Sequence, residues 1–149
     1  MLLVFLLLAC SKQAVYHEYQ LFDNNEWADH DSRSFFMEIE DTNTAYDLLI
    51  AIRHLGNYPY QNMWLFVEEI APDMQLTRDT VYCLLADHTG RWHGKGNGSI
   101  YSFQLPLKSN FQYDEKGEYQ YRIIHGMRDE NLKGVNAVGL KLVETDGEK

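Results

Sequence analysis

Cys10 is the residue whose neighbours give it the most specific chemistry. It closes Leu7-Leu8-Ala9-Cys10: a branched apolar residue, a variable one, a small one, then a thiol. That is the arrangement of a bacterial lipobox. Met1 to Ala9 ahead of it read MLLVFLLLA. A mature spanning helix needs about 20 apolar residues, whereas a run this short has the length of a signal-peptide core. The expected chemistry is export, cleavage before Cys10 and a diacylglyceryl thioether on its sulfur. A leader normally opens with positive charge. No Lys or Arg precedes this run, so residues 1–9 are read as a leader incomplete at its start. Residues 10–14 form a lipidated tether, and 15–149 a single domain.

The remaining residues with chemical potential do not assemble into a catalytic set. Cys83 lies in the apolar run Thr80 to Leu85 and reads as a small buried hydrophobe. A reactive thiol needs partial exposure and a neighbouring base. The six histidines, His17, His30, His54, His88, His93 and His125, contain no HExxH pair. His88 and His93, five apart beside Asp87, are the nearest thing to a metal clip, and they read as solvated loop residues. Gly94 to Ser99 lacks phosphate-loop spacing and leads into a strand rather than a helix. No GxSxG elbow occurs. Glu68-Glu69 and Asp129-Glu130 are adjacent pairs, which point to opposite faces of a strand. Glycosidase carboxyls must instead converge across about 5–10 Å, so these four read as solvated charge. No catalytic residue, metal or cofactor is expected, and the chain is expected not to be an enzyme.

Aromatic residues are the more informative excess. Trp27, Trp64 and Trp92 stand beside ten tyrosines, and such rings stack sugars or anchor protein partners. Trp64, on a strand, is expected in the core. Trp92 sits in the polar loop Thr89 to Gly94 and is the leading candidate for an exposed contact. Arg91 beside it and the isolated Trp27 complete the candidate partner-binding set. Arg53 and Arg128 follow apolar strands and are expected to form ion pairs.

The 149 residues carry a net charge of −9, with 45% apolar and 13% aromatic residues. That composition is globular. Its acidic balance offers no basic face to displace phosphate counterions, which argues against nucleic acid as a partner. It argues equally against electrostatic docking on anionic lipid, so attachment to a membrane must come from the lipid on Cys10.

Short apolar stretches in period two, separated by polar turns, run through the chain. They predict strands over 16–22, 35–39, 46–53, 62–70, 77–86, 99–107, 118–125 and 135–143. Met63, Leu65 and Val67 share one face of the fourth, with Trp64, Phe66 and Glu68 on the other. Asn97-Gly98 marks a hairpin turn, and Asp129 to Leu132 is read as one helical turn. The expectation is an all-β antiparallel sandwich of about eight strands, jelly-roll-like or immunoglobulin-like.

As a series, several segments resemble the GldH family of gliding-motility lipoproteins from Bacteroidetes. They are the lipobox at Cys10, Leu49-Ile50-Ala51-Ile52-Arg53, Tyr58-Pro59-Tyr60-Gln61-Asn62-Met63-Trp64-Leu65-Phe66, and Leu84 to Asp87 with Gly90 to Gly96. Gly117-Glu118-Tyr119, His125 to Arg128, Leu132 to Val135 and Val138 to Leu140 complete the series. The resemblance implies a lipid-anchored cell-envelope protein working with the gliding and type IX secretion machinery and other envelope proteins. It implies no catalytic residue or cofactor to carry over. Ser11-Lys12-Gln13 lacks the acidic residues associated with surface display, which points to an outer-membrane anchor with the domain facing the periplasm. The alternative reading is a lipid-anchored module that binds glycans or another ligand.

Overall fold

The computed structural model describes residues 14–145. Cys10, the leader before it and most of the tether therefore lie outside the described residues. The strands are β1 (Ala14–Leu21), β2 (Glu26–Ala28), β3 (Arg33–Ile39), β4 (Tyr46–Leu55), β5 (Asn62–Ile70) and β6 (Leu76–Leu84). They continue with β7 (Lys95–Asn97), β8 (Ile100–Phe111), β9 (Gly117–His125), β10 (Asn131–Lys133) and β11 (Val135–Glu144). The eight long strands occur where alternation predicts them. The remaining three are three residues each.

Pairing is antiparallel and nested. β1 pairs with β11, β2 with β10, β3 with β9, β4 with β8 and β5 with β6. The chain thus runs as one long hairpin whose far end is the β5–β6 turn, and that hairpin is rolled up. Rolling places β1-β11-β4-β8-β7 in one sheet and β3-β9-β5-β6 in the other. This is the jelly-roll solution, so of the two expected connectivities the immunoglobulin-like one is set aside.

The inward rows carry Phe35, Met37 and Ile39 from β3, Met63, Leu65 and Val67 from β5, and Tyr121 and Ile123 from β9. They meet Leu48, Ile50, Ile52, Val138, Leu140 and Leu142 of the facing sheet, and all are buried. Cys83 joins this core, and burial pushes its thiol up to about 12.

The tyrosine excess closes the ends of the sandwich. Around Tyr113, at one end of the sandwich, pack Tyr46 of β4, Phe111 and Tyr119, with the Tyr113 and Tyr121 hydroxyls hydrogen-bonded at 3.0 Å. Around His54, at the other end, pack Tyr58, Tyr101 and Trp92.

Three local expectations are corrected. Asn131 to Lys133 form strand β10 rather than a helical turn, because Leu132 is buried opposite Trp27. Arg53 lies over the Tyr19 ring at 3.8 Å, a cation–π contact in place of the expected ion pair. Glu68 and Glu69 do face opposite ways, yet neither is simply solvated. Glu68 binds Arg78 and Arg122, and Glu69 binds Lys108.

Candidate functional site: an aromatic groove on the outer sheet face

The sheet β3-β9-β5-β6 has a core face and an outer face, and the outer face is where apolar surface is left bare. Period two on β5 fixes which residues it holds. With Met63, Leu65 and Val67 turned inward, Trp64 and Phe66 must turn outward. Trp64 is 41% and Phe66 40% exposed. Trp64 is therefore not a core residue, contrary to expectation. β6 adds Tyr82 opposite Trp64 and Thr80 opposite Phe66. The Trp64 and Tyr82 rings lie 4.7 Å apart.

One wall of the groove is the turn after β9. Gly126 donates its backbone N–H to the Trp64 carbonyl at 2.7 Å, and the Trp64 N–H donates to the Met127 sulfur at 3.3 Å. A Cβ on Gly126 would stand 3.0 Å from the Phe66 ring, so the bare backbone there lets the ring lie against the turn. Tyr60 extends this wall. Its hydroxyl donates to both oxygens of Asp129, at 2.8 and 3.1 Å. That hydrogen bond raises the Tyr60 hydroxyl above its ordinary range.

Tyr60, Trp64, Phe66, Thr80 and Gly126 to Asp129 together enclose about 490 Å³. The floor is aromatic, and the polar groups sit on the rim as Asp129, Arg128 and Tyr60. Such a floor offers stacking and desolvation for an apolar or planar group, with rim hydrogen bonds to orient it. Among the described residues, no group of three or more His, Cys, Asp or Glu converges as a metal site. His88 and His93 are both exposed.

The candidate partner-binding residues lie elsewhere. Trp27 is fully buried, which removes it as an exposed contact. Its indole stacks on Phe22 and donates its N–H to the Asp31 carbonyl at 2.7 Å. The β2–β10 pairing is what carries it inside. Trp92 is half-buried, because its loop folds back on the sandwich. The Trp92 ring packs 4.4 Å from His54, while the adjacent His93 N–H bonds the Leu85 carbonyl. Arg91 is exposed and pairs with Asp87 at 3.2 Å. The Thr89 hydroxyl and the Arg91 backbone N–H hold the Asp87 carboxyl down to about 2. The expected loop cluster is thus one exposed arginine beside a half-buried indole. The groove residues Tyr60, Phe66, Tyr82 and Met127 were missing from it, although strand parity on β5 already marked Phe66.

Comparison with known proteins agrees with the family resemblance as a whole. The family model described as GldH lipoprotein matches residues 14–142. The chain is 30% identical over 150 residues to the gliding motility lipoprotein GldH homolog of Christiangramia forsetii, spanning 96% of this chain and 91% of that protein. It is 27% identical over 153 residues to the gliding motility lipoprotein GldH of Flavobacterium johnsoniae, spanning 98% and 94%. A solved family GH115 4-O-methyl-α-glucuronidase superposes with a TM-score of 0.42 at 14% identity, over 91% of this chain and 18% of its own, a likeness too loose to carry an argument. With its family model matched across 14–142, the chain belongs to the GldH lipoprotein family.

Proposed function

We propose that the chain is a non-enzymatic component or assembly factor of the gliding-motility and type IX secretion machinery. In this reading it is held to the outer membrane by lipid on Cys10, with its domain facing the periplasm. The observation that carries a binding role is the groove. One sheet of a well-packed sandwich leaves Trp64, Phe66 and Tyr82 bare on its outer face, and exposed aromatic patches of this kind mark interaction sites. A lipid anchor confines such a surface to two dimensions and raises its effective concentration near membrane-bound partners. A second acyl chain is what makes such anchoring stable, since one chain alone holds only marginally.

Two variants separate the parts of this reading. Cys10→Ala is expected to release the protein from the membrane fraction and abolish spreading and secretion. Trp64→Ala is expected to leave it anchored and folded but to lose envelope proteins recovered by crosslinking and pull-down. Normal spreading and secretion in both variants would overturn the proposal.

The rim supports a second reading, a glycan-binding module. Asp129 and Arg128 place hydrogen-bonding groups beside the Trp64 ring, as sugar recognition requires. Reproducible binding on a glycan array that is lost in Trp64→Ala would favour this reading over the machine component.

A further inference from the structure

Strand β6 is an open edge of its sheet. Trp64 directs both its N–H and its carbonyl toward Met127 and Gly126, away from β6. Tyr82, paired with Trp64, therefore turns its own backbone N–H and carbonyl outward, away from β5. Alternation along an antiparallel ladder extends this to Leu76, Arg78, Thr80 and Leu84. The edge runs nine residues without a proline. Leu76, Tyr82 and Leu84 on it are exposed. Thr77 and Asp79 on the inner row are exposed too, so the first half of this strand projects beyond the cover of the opposing sheet, while Val81 and Cys83 stay on the core. A long exposed edge of unpaired N–H and C=O groups is a ready template for another strand.

The geometry points to a second copy of this chain as the occupant, joined β6 to β6 about a two-fold axis perpendicular to the sheet. Such an axis keeps every side chain on its own face, so only residues of like parity can stand opposite each other. Centring the axis on Thr80 overlaps all nine residues and uses every outward backbone group. It sets Leu76 opposite Leu84 of the second copy. It also sets Arg78 opposite Tyr82, where the guanidinium can lie on a ring. Glu68 already shares its carboxylate between Arg78 and Arg122, which leaves Arg78 cationic capacity to spare.

Neighbouring registers are worse. Centring on Asp79 opposes two like charges, and centring on Val81 shortens the ladder. The product is a continuous eight-stranded sheet, β3-β9-β5-β6 followed by its mirror order, with both aromatic grooves on one face. Two-fold symmetry also holds both chain starts at one height along the axis, as two tethers to one bilayer need. The inference does not depend on the groove's partner.

The test uses the full lipidated chain in detergent and in membranes. Sedimentation should give the mass of a dimer. Thr80→Cys should form a disulfide-linked dimer under mild oxidation. Arg78→Cys and Tyr82→Cys should each stay unlinked, because identical positions four residues out of register lie about 13 Å apart, beyond the about 7 Å a disulfide spans between Cα atoms. A mixture of those two variants should link. Thr80→Pro should give a folded monomer, since it removes only an outward N–H; if it unfolds, the cysteine pattern decides. A monomeric chain whose Thr80→Cys links no better than Arg78→Cys overturns the inference. So does linkage of equal extent at all three positions, or linkage of Thr80→Cys to a different envelope protein instead of to itself.

Discussion

The Lys108 ammonium on β8 and the Glu69 carboxylate on β5 meet at 2.5 Å, joining the two sheets by an ion pair. Their side chains are 32% and 16% exposed. Glu69 sits on the inward row of β5, in line with Met63, Leu65 and Val67. Burial pushes the Tyr121 hydroxyl far above its usual range, and the Tyr113 hydroxyl and Glu69 carboxylate add to it. Lys108→Met leaves that carboxylate half-buried without its cation. We expect a loss of about 1–2 kcal/mol, more than an exposed pair contributes and less than a fully buried one. Urea unfolding measures it, and Glu69→Gln in the same chain should recover part of the loss. A change within about 0.5 kcal/mol, typical of an ordinary surface substitution, would show that the pair is incidental.

His54 and His125 make folding sensitive to acid. Both are buried, and burial holds both below the ordinary value of 6.5. Carbonyls of Leu55 and Trp27 pull back against this, as do Asp29 and Asp129 near His125. Each ring keeps one nitrogen without a partner among the described residues, Nε2 of His54 and Nδ1 of His125. As pH falls below about 6.5 the unfolded chain binds protons that the folded chain refuses, so stability falls with pH. His54→Asn preserves the donor to Leu55, and His125→Gln the donor to Trp27. The doubly substituted chain should show a shallower decline in melting temperature between about pH 7 and pH 5. An unchanged decline would assign it to carboxylates instead.

The long strands were legible where one face of the strand is core. Alternation at Phe35, Met37 and Ile39, or at Tyr119, Tyr121 and Ile123, survives in the buried rows. Nested pairing was not, since it depends on contacts between distant segments such as β1 and β11. The same distance hid Trp27, whose three-residue strand is too short for a period and is buried by Leu132 from the far end of the chain. Trp64 misled for a different reason. Its hydrophobicity points to the core, whereas its parity relative to Met63 and Leu65 points outward, and parity won. Trp92 is intermediate because its loop closes on itself through Asp87 before packing on His54.

Gly139 on β11 lies where no side chain fits. A Cβ there would stand 2.5 Å from the Glu18 carbonyl and 2.8 Å from the Tyr19 ring. Tyr19 in turn carries Arg53 over its ring. Gly139→Ala must push β1 away from β11, and overpacking of this kind costs about 1–3 kcal/mol. Hydrogen exchange should show lost protection in β1 before β4 or β8. Uniform loss across the sheet would place the strain elsewhere.

Trp27 and Trp64 should separate stability from recognition. Trp27→Ala empties a fully buried site, and truncation of a buried tryptophan costs about 3–5 kcal/mol. Any loss of partner binding in that variant should follow the folded fraction. Trp64 packs on the outer face against Tyr82 and the Gly126 turn. It is 41% exposed, so truncation to Ala gives up only partial burial, and the expected stability loss is about 1–2 kcal/mol, below that of Trp27→Ala. Capture of envelope proteins should nevertheless fall sharply, because central aromatics dominate contact energies. Thermal melts and crosslinked pull-downs of the two variants make the comparison. A Trp64→Ala chain that melts as low as Trp27→Ala would make the outer rings structural, and one that keeps full capture would move the contact surface off the groove.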